Sequence, residues 1–340
     1  MNHSADETRA SLANNLRYFI KWSLIALLIG GTGGLIGSLF SMGVSFATSF
    51  RMNHPNMLFF LPVSGILIVW LYHTFHEEGN RGTNMVIDAI SSTEKVTLAT
   101  GPLIFVSTVL THIAGGSSGR EGAALQLGGS LGNLFGNAIH LDEKDKKIAI
   151  MCGMSAVFSA LFGTPVAAAI FPLEVISIGV LYYAALVPCI FSSFIGVGIA
   201  RYLGIAGEHF TVLSIPAISV SSVGWIIFLS ALCAGVSIVF CLMLHGAEHT
   251  YRKIFPNPYV RILAASAIFI LLTLLIGTRD YCGSSMPLIE RSMEGEIGYE
   301  AFFLKMLFTA IALGAGFKGG EIVPTLCVGA AFGCAFGQIT

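Results

Sequence analysis

From residue 18 to residue 50 the chain carries one charged side chain, Lys21, in an otherwise uncharged, mostly apolar run. Similar runs recur at about 56–74, 181–200, 219–245 and 259–277. Shorter ones lie at about 83–92, 101–115, 122–138, 148–162, 166–178, 284–292, 300–314 and 321–338. Only 11% of the 340 residues are charged, against about 25% in an ordinary soluble domain. Such a chain cannot clothe a surface in water, so soluble enzymes, disordered chains and coiled coils are excluded. With 54% apolar residues, the sequence predicts a polytopic membrane protein surrounded by lipid. A net charge of -1 gives no case for nucleic-acid binding. The polar residues 1–17 read as a cytoplasmic arm and not as a secretory signal, since the apolar run after them exceeds the roughly 7–15 residues of a signal core. The seven cysteines (152, 189, 233, 241, 282, 327 and 334) form no C-x-x-C pair and lie mostly in apolar runs. They read as small hydrophobes.

The short runs carry more information than the long ones. A spanning helix needs roughly 20 apolar residues, so segments of ten to fifteen predict half-membrane helices. Irregular backbone at that depth survives only inside protein or along a watery cavity. Gly30/Gly34 and Gly33/Gly37 are small-x-x-x-small pairs that let helices approach closely. The charged stretch Asp142-Glu143-Lys144-Asp145-Lys146-Lys147 reads as a loop between apolar segments.

The chain also repeats. Residues 116–137, GSSGREGAALQLGGSLGNLFGN, match residues 316–337, GFKGGEIVPTLCVGAAFGCAFG, at an offset of two hundred. Gly116, Gly119, Glu121 and Gly129 meet Gly316, Gly319, Glu321 and Gly329; with one residue of slippage Gly132, Phe135 and Gly136 meet Gly333, Phe336 and Gly337. The long runs beginning near 18 and 219 keep almost the same offset. The predicted organisation is a first membrane repeat over 18–205 and a second over 219–340. If the halves correspond, roughly sixty residues of the second are absent, which predicts a C-terminally incomplete chain.

The motif has a chemistry. A helix start presents free N–H groups and a positive dipole end, and so favours anions. Glycines let the backbone approach an ion. At Gly119-Arg120-Glu121-Gly122-Ala123 the Glu121 carboxylate can occupy the anion position itself and leave it when protonated. An ionisable residue inside a membrane segment is functional by default; the competing reading is a structural Arg120–Glu121 ion pair. Glu321 repeats the arrangement before Ile322, or else caps a helix start, and Pro324 suits a first turn. Gly82-Thr83-Asn84 opens another short segment, where Thr83 offers a hydroxyl to an anion or serves as an ordinary N-cap.

Together these residues resemble the CLC family of chloride channels and anion/proton antiporters. Gly119-Arg120-Glu121-Gly122 matches its GREGP. Phe162-Gly163-Thr164-Pro165-Val166-Ala167 is similar to its F-N-x-P-L-A, Gly320-Glu321-Ile322-Val323-Pro324 to its G-x-F-x-P, and Gly82-Thr83 stands where its G-S-G-I-P occurs. The resemblance implies an all-α homodimer in membrane lipid. Each subunit would hold its own pathway, built from an inverted repeat of tilted and half-membrane helices, here with the second repeat incomplete. The departures (Ala123 for proline, Glu321 for an apolar residue, Ile322 for phenylalanine, Val175 after Glu174 where the chloride antiporters carry a second glutamate) look like the fluoride/proton antiporter branch. The resemblance implies Glu121 as the gating and proton-carrying residue and Glu321 as a second proton-linked carboxylate. It assigns anion contacts to Thr83, Asn84, Gly119, Arg120, Gly122, Ala123, Glu321 and Ile322, with no metal or cofactor. Fluoride or chloride and protons are the expected partners. The family's pore-lining tyrosine lies beyond the second motif and is not placed.

Rival readings are a passive chloride channel or chloride/proton antiporter and, more remotely, a rhomboid-like serine protease. The latter rests on Gly116-Ser117-Ser118-Gly119 with His112 nearby. His245 and His249, four apart on one side of a helix, could bind a metal with Glu248; the competing reading is a solvated helix end before Tyr251-Arg252-Lys253. Arg9, Arg17 and Lys21 predict a cytoplasmic start, which Arg51 weakens. The lack of large soluble domains suggests a minimal protein of a bacterial inner membrane.

Overall fold

The computed structural model describes residues 2–80, 82–91, 96–175, 181–207, 210 and 219–339, with side chains described from Leu12 onward, Ser91 excepted. The Arg9 side chain, read above as an orientation cue, therefore lies outside the described residues. So do position 92 and positions 176–178, at the ends of two predicted segments.

Among the described residues the elements are helical throughout. In chain order the helices are α1 (Asn2–Asn53), α2 (Leu61–Thr74), α3 (Thr83–Ser91), α4 (Thr100–Ile113), α5 (Glu121–Ala138), α6 (Glu143–Phe162) and α7 (Pro165–Val175). Then come α8 (Leu186–Tyr202), α9 (Val220–Ile254), α10 (Pro258–Ile276), α11 (Met286–Glu294), α12 (Ala301–Ala315) and α13 (Ile322–Ile339). Single 3-10 turns, Pro55–Phe60 and Tyr183–Ala185, lead into α2 and α8. Six helical stretches are long and apolar enough to cross a bilayer. By contrast α11, with 9 residues between its caps Ser285 and Gly295, rises only about 14 Å, half of the hydrocarbon thickness.

One expectation is corrected. The charged stretch at 142–147 is the opening of α6 and not a separate loop. Asp142 accepts the Asp145 N–H at 2.8 Å as N-cap, and Glu143 and Asp145 sit in the first turn, where the helix dipole favours acids. Lys21 on α1 is ion-paired with Asp145. The α9 helix also runs past the predicted end near 245 to Ile254.

The helices fall into two compact units. The first holds Met1–Met42, Thr83–Gly101 and Ala124–Glu208. At its centre is α6, buried on every side from Ile148 to Val157 and packed against α7 and α8. The glycine pairs of α1 work as their spacing predicts. A Cβ on Gly30 or Gly34 would lie 2.8 Å from the carbonyl of Ser192 or Gly196 on α8, and on Gly33 2.7 Å from Ala156 on α6. The closest crossing is that of α5 and α6, where Gly128 and Gly132 lie directly against the backbone of Gly153 and Ala149. Gly163, at φ 70°, ends α6 and donates to Ser159 O at 2.9 Å; Pro165 then opens α7.

The second unit holds Gly43–Gly82, Pro102–Ala123 and His209–Thr340. In it α12 packs against α9, α10 and α13, α2 against α10, and α11 against α13. Phe240, Met306 and Val328 form a buried cluster joining α9, α12 and α13. Most of α9 is apolar yet exposed, with Phe240 its one buried residue; such a face suits hydrocarbon or a further helix rather than water.

Candidate functional site

Within the second unit the two glycine motifs meet. The Gly119 N–H donates to Gly320 O at 2.6 Å, and the Gly320 N–H returns to Gly119 O at 2.8 Å. This isolated antiparallel bridge exists because neither residue has a side chain. A Cβ on Gly320 would lie 2.5 Å from the Gly122 nitrogen, and one on Gly119 would lie 3.0 Å from Pro324 Cδ and 3.1 Å from Gly320 O. Gly319 is likewise pressed against Ser118. The bridge sets the starts of α5 and α13 side by side, so two sets of free N–H groups share one neighbourhood.

Glu121 is the first residue of α5 and 2% exposed. Its Oε2 accepts the Val323 N–H at 3.2 Å. The carboxylate of the first motif thus sits on the helix start of the second, in the place that helix geometry reserves for an anion. Gly122 and Ala123 follow it, buried; Arg120 precedes it, half-buried. Ile322, half-buried, begins α13. Glu321 is exposed, and its carbonyl accepts the Thr325 N–H at 2.9 Å and hydroxyl at 2.8 Å. Thr83 and Asn84 belong to the first unit, where they open α3, half-buried and exposed respectively.

Three supporting residues, Thr309, Thr111 and Lys305, escaped the sequence reading. Ser117 and Thr309 exchange a buried hydroxyl contact at 3.0 Å, which ties the first motif to α12. Thr111 Oγ1 accepts the Lys318 N–H at 3.3 Å and donates to Ser107 O at 2.9 Å, which ties the second motif to α4. Lys305, fully buried in α12, donates to Tyr281 O and Gly283 O at 3.3 Å each. The available signal for Lys305 was its solitary charge in an apolar segment.

Other expectations resolve here. His245 turns its Nδ1 to Cys241 O at 2.8 Å, Glu248 pairs with Arg252 at 2.8 Å, and both histidines are exposed. Among the described residues no cluster of metal-ligating side chains forms. Ser118 is buried against Gly319, Ser117 is engaged by Thr309, and His112 Nδ1 lies 2.8 Å from Thr108 O. None of these makes a serine–histidine pair.

The family model described as voltage gated chloride channel matches residues 64–340. The chain belongs to the CLC family. It is a polytopic integral membrane protein of CLC-type anion transport and not an enzyme, which removes the protease reading. It is 29% identical over 331 residues to the chloride/fluoride channel protein of Pseudomonas syringae pv. tomato, covering 95% of this chain and 73% of that one. It is 24% identical to the H(+)/Cl(-) exchange transporter ClcA of Vibrio cholerae, covering 93% and 72%. Among solved structures it superimposes on a CLC-type fluoride/proton antiporter with a TM-score of 0.89 and 30% identity, covering 94% of this chain and 82% of that one.

Proposed function

We propose that this CLC protein exports fluoride by exchange for protons, with Glu121 as gate and proton carrier. The observation that carries the reading is the Glu121 carboxylate resting on the Val323 N–H at the start of α13. An acceptor in that position competes directly with an anion for the same donors. Deprotonated, Glu121 holds the site closed. When a proton binds, the carboxyl loses its charge and its advantage at the helix start, swings away, and an anion takes the freed N–H groups. When the anion leaves, Glu121 releases its proton and returns. The deprotonated carboxylate and the anion cannot use these N–H groups together, so anion passage requires a proton on Glu121, and exchange follows when that proton enters from the side to which the anion leaves.

The donors assigned to the anion are the backbone N–H groups of Arg120, Gly122, Ala123 and Ile322, next to Gly119, whose own N–H is held by Gly320; Thr83 and Asn84 are assigned to the anion on the family resemblance alone. Fluoride is small and strongly hydrated, and only a dense set of donors replaces its water. Glu321, exposed beside the bridge, is assigned as the second proton-linked carboxylate. The preference for fluoride over chloride is supported by the 30% identity to a structure titled as a fluoride/proton antiporter and by the Pseudomonas relative's name. The working assembly is proposed to be a homodimer in lipid, with repeats over 18–205 and 219–340 in each subunit.

The test is efflux from proteoliposomes followed with fluoride, chloride and pH electrodes. The reading expects fluoride efflux with proton uptake, and chloride at least tenfold slower. Chloride flux equal to fluoride flux, with the same proton coupling, would move the chain to chloride exchange.

A further inference from the structure

The loop that carries the second motif holds a cation, Lys318, that has no ion pair among the described residues. Lys318 lies two residues before Gly320, half-buried, with its ammonium 4.2 Å from the centre of the Tyr72 ring. Among the described residues it forms no ion pair. Its backbone, not its side chain, holds the loop, through the N–H to Thr111, and Phe317 beside it is buried with its ring against Gly65 of α2. Arg261 stands at the same end of the unit, its Nε donating to Ala315 O at 3.1 Å. It too forms no ion pair among the described residues.

Among the described residues, more cations than carboxylates surround this loop. Arg252, Glu248, Arg261 and Glu77 all lie close enough to act on Lys318 electrostatically. With Lys318 that makes three cations against two carboxylates. Glu248 is engaged by Arg252 at 2.8 Å, and Glu77 accepts the Asn80 amide at 3.3 Å. Among the described residues neither Lys318 nor Arg261 has a carboxylate paired to it, which leaves positive charge on the loop that leads into Gly319-Gly320. Holding a lysine in a half-buried place without a partner costs stability. A methionine would cover Tyr72 equally well, so packing does not account for the charge. Fields of this kind concentrate counter-ions in a cleft.

We infer that Lys318, with Arg261 beside it, is a recruitment site for the transported halide, which gathers the hydrated anion next to the helix starts of α5 and α13. The inference rests on the anion-transport reading of those helix starts but not on proton coupling. Lys318 contacts the anion electrostatically before the donors replace its water, so its removal acts on affinity and not on turnover or on the proton-to-anion ratio.

The experiment is calorimetric titration of the full chain in detergent with sodium fluoride and sodium chloride, at low and at high ionic strength. Wild type, Lys318→Met and Lys318→Arg are compared. Screening shortens the reach of charge to about 10 Å at 0.1 M salt. The inference expects wild-type binding to weaken severalfold as salt rises. Lys318→Met should bind severalfold more weakly at low salt and lose most of the salt dependence, while Lys318→Arg should match wild type. Wild-type binding that ignores salt would overturn the inference, as would Lys318→Met binding with wild-type affinity at low salt. An Arg variant as weak as the Met variant would reduce Lys318 to a packing residue. Should Lys318→Met fail to fold, Lys318→Gln takes its place with the same expectations. Binding is measured without flux, so a wild type that binds as expected yet moves no protons would contradict the antiport reading and support this one.

Discussion

Glu121 and Glu321 occupy matching places in the two motifs yet meet different surroundings. Glu121 is folded onto a neighbouring helix start, whereas Glu321 faces outward beside its own. The difference was not legible in the sequence. It depends on a pairing between positions 119 and 320, and on the Val323 N–H, a backbone group with no side-chain signature. What was legible was the motif itself, because glycines next to a carboxylate at a helix start have few other uses. Gly320→Ala tests the pairing: its Cβ would lie 2.5 Å from the Gly122 nitrogen, so the bridge must open. The expected result is at least a tenfold loss of anion flux in proteoliposomes, with a detergent elution profile like wild type. Lys305→Ala tests the buried lysine. It opens a cavity and leaves the Tyr281 and Gly283 carbonyls without their donor, a loss of about 2–5 kcal/mol. A fall of several degrees in the thermal midpoint in detergent is expected.

At the scale of elements, hydrophobicity located the helices and glycine located their contacts. Lipid forces backbone groups to pair within a segment, so every long apolar run became a helix. Charge misled at 142–147, because acidic and basic residues there serve a capped helix start beside α1 rather than a loop. Asp142→Ala removes that cap, and about 1 kcal/mol of stability with it; the reading is a small downward shift of the thermal midpoint. A larger effect is expected where backbones touch. Gly153 on α6 faces Gly128 and Gly132 on α5 with no room for a Cβ. Gly153→Val overpacks that crossing by about 1–3 kcal/mol or more, and should lower the thermal midpoint more than Asp142→Ala does. Equal shifts would mean that the crossing relaxes freely.

For the whole molecule, the short helix α11 and the motif pair follow from one requirement: charge at membrane depth must meet backbone donors, and only interrupted helices expose them. That requirement explains why Gly and Pro punctuate the chain where solvent-exposed turns are not needed. It also fixes what the central carboxylate has to do. Fluoride and proton fluxes, recorded together from proteoliposomes containing wild type or Glu121→Gln, test that claim most directly. A glutamine fills the same space on the Val323 N–H but carries no titratable proton. The account predicts that the variant moves no protons, with anion exchange lost or uncoupled, while wild type moves both. Proton movement coupled to fluoride in Glu121→Gln at the wild-type ratio would contradict it.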